Sequence, residues 1–244
     1  MFRIAPHATV HCPGRGSLRF GTARRALVLA AVPVLLVAGC SSDSDDGGAD
    51  SSDAPESSAS SAPSPEAVKF TELPDPCKTV KEETVESAVP NAETKSGKNL
   101  GTQDADSSAV CLWSGLDDFD YRALSVTLRR FDSENGLGSG DERATEHAEE
   151  QLAAAAEDKE HKDAEDGSLE GVGDSARTVT YTTTKKDGDD KEEYREQRTV
   201  ARTANVVITV DYSGAGLEDA KTPSAEALAE ESEKVAGGVV AAIK

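Results

Sequence analysis

His147 and His161 are the two histidines after the first forty residues, and they are the chain's first candidates for proton transfer or metal ligation. They stand fourteen residues apart and form no His-Glu-x-x-His, the pattern that sets two imidazoles one helical turn apart on a zinc ion. His147 is expected on the solvated face of a helix, which leaves His161 as the histidine a hydrolase could use. Serine nucleophiles would announce themselves as Gly-x-Ser-x-Gly or Ser-x-x-Lys, and neither occurs. Gly136, Gly138 and Gly140 lead into no Gly-Lys-Ser/Thr, so they cannot cradle a phosphate as a P-loop does. The acidic run from Asp187 to Glu193 invites calcium, but Lys191 occupies the fifth position of an EF-hand spacing, where an acceptor is needed. A solvated hairpin tip is the expectation there. Carboxylate pairs are so abundant that two at glycosidase separation would arise by chance. Trp113 could stack on a ligand, but beside Cys111 it is expected in the core. The chain therefore reads as no enzyme, with no catalytic residue, metal or cofactor to assign.

The most specific residue is Cys40. Arg3, Arg15, Arg19, Arg24 and Arg25 precede an apolar run from Ala26 to Ala38 that only Pro33 interrupts. Thirteen residues at helical rise span about 20 Å, well short of the roughly 30 Å hydrocarbon core, so the run suits an export signal rather than a permanent span. Val37, Ala38 and Gly39 then lead to Cys40. This resembles the lipobox of bacterial lipoproteins, which implies a diacylglyceryl group on the Cys40 sulfur and cleavage before it. Two acyl chains give stable anchoring. The expected partner of Cys40 is thus the lipid bilayer, on the outer face of the cell membrane.

Residues 1–39 are accordingly read as a lipoprotein signal peptide and residues 40–66 as a disordered tether. Ser41–Glu66 holds ten serines, seven acidic residues and no basic or aromatic one, too little apolar surface to offset ordering entropy. As a flexible coil it reaches roughly 30 Å. Removing the five leader arginines leaves 21 basic against 46 acidic residues, a net of −25. Such a charge excludes nucleic acid as a partner, because phosphates reward basic surfaces. It also disfavours close contact with an anionic membrane surface.

Residues 67–244 form the expected single extracytoplasmic domain. With Cys12 lost in the leader and Cys40 lipidated, Cys77 and Cys111 remain, and in an exported chain they are expected to pair. Metal binding would need more ligands, and a redox role would prefer Cys-x-x-Cys. Asp75 and Pro76 suit the N-cap and first position of a helix carrying Cys77, Val80, Thr84 and Ala88, which Pro90 stops. Ser107–Gly115 and Arg122–Phe131 read as strands around a turn. Ser139 and Glu142 form a capping box for a helix reaching about Asp158, with Ala144, Ala148, Leu152 and Ala155 on one stripe. Lys159–Gly167 is expected to loop out. Ala176–Lys185, Glu193–Arg202 and Asn205–Tyr212 read as strands, and Thr222-Pro223 opens a last helix through Ile243. Gly237-Gly238 within that helix suggests close backbone packing.

The order α-β-β-α-β-β-β-α with short links predicts an α+β fold: an antiparallel sheet of about five strands, helices on one face, and one disulfide. Asp75-Pro76-Cys77, then Cys111-Leu112-Trp113, then Gly171-Val172-Gly173-Asp174-Ser175-Ala176, after a lipobox and Ser/Pro-rich spacer, resemble an actinobacterial lipoprotein family, domain of unknown function 3558. The resemblance covers most of residues 67–244 and implies no activity, substrate or catalytic residue. The functional expectation is a membrane-anchored, non-enzymatic module binding an envelope protein or a small apolar ligand. An accessory or sensor domain of a membrane complex is the alternative, and an unrecognised hydrolase comes third.

Overall fold

The computed structural model describes residues 65–243 except Gly188, Asp189 and Asp219. Cys40, the leader and all but the last residues of the tether lie outside the described residues. The described part contains β1 (Lys98–Asn99), β2 (Ser108–Asp117), β3 (Asp120–Arg130), β4 (Lys162–Ser168), β5 (Ser175–Asp187), β6 (Asp190–Thr203) and β7 (Val206–Gly216). Its helices are α1 (Glu82–Ala88), α2 (Gly140–Glu157) and α3 (Ala225–Ala242), with a 3₁₀ turn at Pro76–Lys78.

All seven strands join one antiparallel sheet in the order β1-β2-β3-β7-β6-β5-β4. Two-residue turns close β2 to β3 and β6 to β7, and in each the first turn residue takes a positive φ: Asp118 at 53° and Ala204 at 48°. That left-handed geometry matches the strand twist. From β3 the chain crosses the sheet through α2 to the far edge. It then returns through β4, β5 and β6, so that β7 pairs with β3 along eleven residue pairs.

β7 is buried on both sides, and this divides the core. Val206, Ile208, Val210 and Tyr212 join Cys111, Trp113, Leu124, Val126 and Leu128 beneath α1 and α3. Val207 points the other way and packs with Val179, Tyr181 and Val200 under Ala144, Leu152 and Ala155 of α2. The alanine stripe of α2 lets that helix lie close to the strands. Each fully buried Leu or Ile contributes roughly 1.5–3 kcal/mol.

Three expectations are corrected here. The sheet has seven strands rather than about five, because β1 is two residues long and β4 carries no apolar alternation. Main-chain pairing to β5 holds β4, whose side chains are almost all exposed. Charges at Lys162, Asp163, Glu165 and Asp166, with positive φ at Asp163, guard this outer edge against further strand pairing. Helices cover both faces rather than one: α1 and α3 share a face and α2 takes the other. The single helix expected after Asp75 is two pieces, since Lys81 is extended (ψ 144°) and restarts the chain as the N-cap of α1. Asp75 does cap the 3₁₀ turn, accepting from the Cys77 N–H at 3.0 Å.

The Cys77–Cys111 disulfide joins that 3₁₀ turn to β2, with Cα atoms 5.2 Å apart. Closing a loop of this length is worth roughly 3–4 kcal/mol by chain entropy. Gly97, at φ 71°, lies against the bridge; a Cβ there would come within 2.5 Å of the Cys111 sulfur and 2.6 Å of the Trp113 ring. Trp113 is 1% exposed and donates from Nε1 to the Lys95 carbonyl at 3.1 Å, a core residue as expected.

Candidate binding face

Strand alternation puts every second residue of the sheet on the α2 side, and α2 lies over β4, β5, β6 and β7. Over β2 and β3 that side has no helix among the described residues. Pair registers lay out the exposed floor in rows. Leu112, Ser125, Asp211 and Arg198 form one row across β2, β3, β7 and β6. Ser114, Ala123, Ser213 and Glu196 form the next, which ends against the buried Tyr181 of β5. Leu116 and Tyr121 begin a third row beside Ala215 of β7. The floor is about 19 Å wide across five strands.

Leu112, Ser114, Tyr121, Ala123, Ser125 and Thr127 are all half-buried, and Leu116 is 49% exposed. The rings of Tyr121 and Tyr194 meet edge to face at 5.9 Å. Lys185 sits over the Tyr194 ring at 4.1 Å and pairs with Glu196 at 3.1 Å. Glu196 also accepts from the Thr183 hydroxyl at 2.5 Å. Arg198 donates from Nε to Asp211 at 2.6 Å. These pairs neutralise Lys185, Glu196, Arg198 and Asp211 among themselves and hold their side chains in place.

Burial first, and then the neighbouring Tyr194, raise the Tyr121 phenol above its ordinary value. The Tyr181 phenol is raised too, chiefly by burial. Both are therefore neutral hydrogen-bonding groups at ordinary pH rather than nucleophiles. The arrangement offers rigid aromatic surface, hydroxyls and internally paired charges, which is equipment for recognition.

His161 stacks on Tyr181 with ring centroids 3.7 Å apart, at the border of this floor. Its Nδ1 is 2.7 Å from the Ala155 carbonyl, so that nitrogen carries the proton and donates. The imidazole thus satisfies a carbonyl in the last turn of α2. His147 departs from the expectation of a solvated face. Its ring lies 5.1 Å from Phe131, and burial, reinforced by Arg129, holds its pKa below the usual value. The two histidines are placed separately, His147 by Phe131 and His161 by Tyr181.

Asp187 and Asp190 are backbone register partners at the end of the β5–β6 hairpin, and Gly188 and Asp189 of the acidic run lie outside the described residues. Among the described residues no group of three His, Cys, Asp or Glu is placed to hold a metal. The Gly171–Ala176 motif clips a turn. Asp174 accepts from the Ala204 N–H at 2.6 Å and pairs with Arg202 at 3.5 Å. A Cβ on Gly173, at φ 64°, would strike the Arg202 carbonyl at 2.4 Å.

Tyr121, Tyr194, Arg198 and Asp211 form the floor and were not singled out by sequence. The available signal was the polar side of the same alternation that places Leu124, Val126 and Leu128 in the core. No family model, curated protein or solved structure matches the chain.

Proposed function

We propose that the chain is a lipid-anchored, extracytoplasmic, non-enzymatic module of the family resembling domain of unknown function 3558, and that it binds an envelope protein through the open floor of its sheet. The observation that carries this reading is the half-exposed patch of Leu112, Leu116, Tyr121 and Tyr194 beside a helix that stops short of it. Tyrosine and arginine on rigid strands supply contact area at low entropic cost. The projected floor is of the order of 400 Å², the centre of a standard interface or most of a transient one.

Charge favours the type of partner. The floor carries Arg129, Lys185 and Arg198 against Glu192, Glu196 and Asp211, within a domain of 21 basic and 39 acidic residues. It is the part of this acidic surface that least repels a neutral or mildly acidic patch, and a protein with an apolar centre and such a rim fits it. A small apolar ligand fits less well. The clefts beside His161 and beside Phe119 are open and bordered by Glu160, Lys162 and Glu196 in one and by Asp117, Asp118 and Lys221 in the other. The tether would let the floor search a volume tens of ångströms from the bilayer.

A photo-crosslinking residue at Ser125 tests the proposal in intact cells, with one at exposed Glu233 on α3 as control. A discrete protein adduct is expected from position 125, none from 233, and loss of the adduct on adding Leu112→Asp and Tyr121→Asp. An adduct indifferent to those two charges, or none from position 125, would overturn it.

A further inference from the structure

The open floor has the dimensions of one more helix. α2 packs on β4, β5, β6 and β7, and most extensively on β6. β3 lies two strands beyond β6 in the sheet, about 10 Å away, which is the distance between neighbouring packed helices. From Tyr121 to Arg129 the free side of β3 runs about 27 Å, the length of about eighteen helical residues. α2 itself has 18 residues. The opposite side of the sheet carries two helices in contact, α1 and α3. A second helix beside α2 would complete the same arrangement on this side.

Main-chain chemistry selects a helix as the occupant. The outer edge of β2 is already engaged by β1, by the Leu100 N–H on the Val110 carbonyl at 3.1 Å, and by the bridge from Ala92 to Gly115. The outer edge of β4 is guarded by its charges, so an added strand has no edge to join. What the floor presents is side chains, with half-buried Val110, Leu112 and Tyr121 and the exposed Leu116 along β2 and β3. A strand or loop laid on these would find no partners there for its N–H and C=O groups, whereas a helix satisfies its own. A second copy of the chain fits poorly. Each domain carries a net 21 − 39 = −18, and the floor of about 400 Å² is half of what each partner buries in a standard interface.

Charge sets the direction. Asp117, Asp118 and Asp120 are all exposed at the β2–β3 turn, and Glu93 lies beside Ser114, whose carbonyl accepts its N–H at 2.9 Å. Towards the other end stand Lys98, opposite Leu112, and Arg129, opposite Ser108. Both are exposed and form no ion pair among the described residues, although Glu146 and Glu150 of α2 line the Arg129 cleft with it. The positive end of a helix dipole suits the aspartates, and its negative end suits Arg129 and Lys98.

We propose that the partner of this floor presents an amphipathic helix, laid on β2 and β3 beside α2, with its N-terminal end at the β2–β3 turn and its C-terminal end towards Arg129. This occupant presupposes the binding face proposed above and specifies the shape and direction of what meets it.

Photo-crosslinking residues placed singly at Ala123, Ser125 and Thr127, in the full chain in intact cells, map the occupant when the joined partner residue is read by tandem mass spectrometry. Each two-residue step along β3 covers about 6.8 Å, so within one partner segment the joined residue should advance by about four in a helix, against two in an extended chain. Its number should rise from position 123 to position 127. Lys98→Glu with Arg129→Glu should lower the adduct yield from position 125 about fivefold. An advance of two, a falling order, sites scattered over several segments or lying in a second copy, or a yield unchanged by the two reversals would each overturn the helix while the floor remains a binding face. No adduct from any of the three positions would overturn both.

Discussion

Asn205 is fully buried, and its amide answers three main-chain groups. It accepts from the Phe70 N–H at 2.9 Å and donates to the carbonyls of Phe70 and Phe131 at 2.8 Å each. One side chain thereby sews the segment after the tether and the end of β3 to the β6–β7 turn. Asn205→Ala strands all three groups and should cost about 3 kcal/mol, read as a lowered urea midpoint at unchanged slope. His147 makes a pH-dependent contribution. Burial and Arg129 depress its folded pKa below 6.5, so the unfolded chain takes the proton first. The stabilisation is present above pH 6.5 and is lost as pH falls from there through the folded value. His147→Gln should flatten that part of the stability profile. Denaturation midpoints measured above pH 6.5 and about one to two units below it check this.

Among the elements, α3 forms with the stripe expected of it but starts two residues later. It begins at Ala225 under the Ser224 cap, whose hydroxyl accepts from the Ala227 N–H at 3.2 Å, rather than at Thr222-Pro223. Leu228, Ser232, Val235 and Val239 are buried, and Ser232 meets Thr199 of β6 at 2.8 Å, which accounts for a serine in an apolar stripe. Gly237 and Gly238 permit no close approach, since a Cβ on either would meet nothing within 4 Å. They only loosen the helix. Gly237→Ala and Gly238→Ala should each stabilise the chain by about 0.5–1 kcal/mol, visible as a raised thermal midpoint. A fall in that midpoint would mean that the helix end meets something outside the described residues.

At the scale of the whole molecule the sheet is two-sided and its second side only partly covered, and the anchor proposed at Cys40 is open to a direct test. Two acyl chains hold a protein at a bilayer, whereas a single chain binds marginally. Cys40→Ala should therefore move the chain from the membrane fraction into the medium, or leave it unprocessed with its leader attached. Membrane partition unchanged by this substitution would refute the anchor. The disulfide acts at the same scale, because Cys77 and Cys111 tie the first structured turn to the second strand of the sheet.

Local chemistry made much of this legible in sequence. The capping box of Ser139 and Glu142 depends on neighbours three residues apart and is formed as read. So are the cores of β2, β3, β5, β6 and β7, the cysteine pairing and the buried Trp113, each of which follows from period, elimination or volume. Tertiary structure alone decided where α2 lies. A helix with an alanine stripe can pack on either side of a sheet, and the crossing from β3 to β4 placed it opposite α3. That choice half-buried His147, stacked His161 on Tyr181 and left Leu112, Tyr121 and Ser125 open. The charged strand β4 was equally invisible, because main-chain pairing depends on partners distant in the chain.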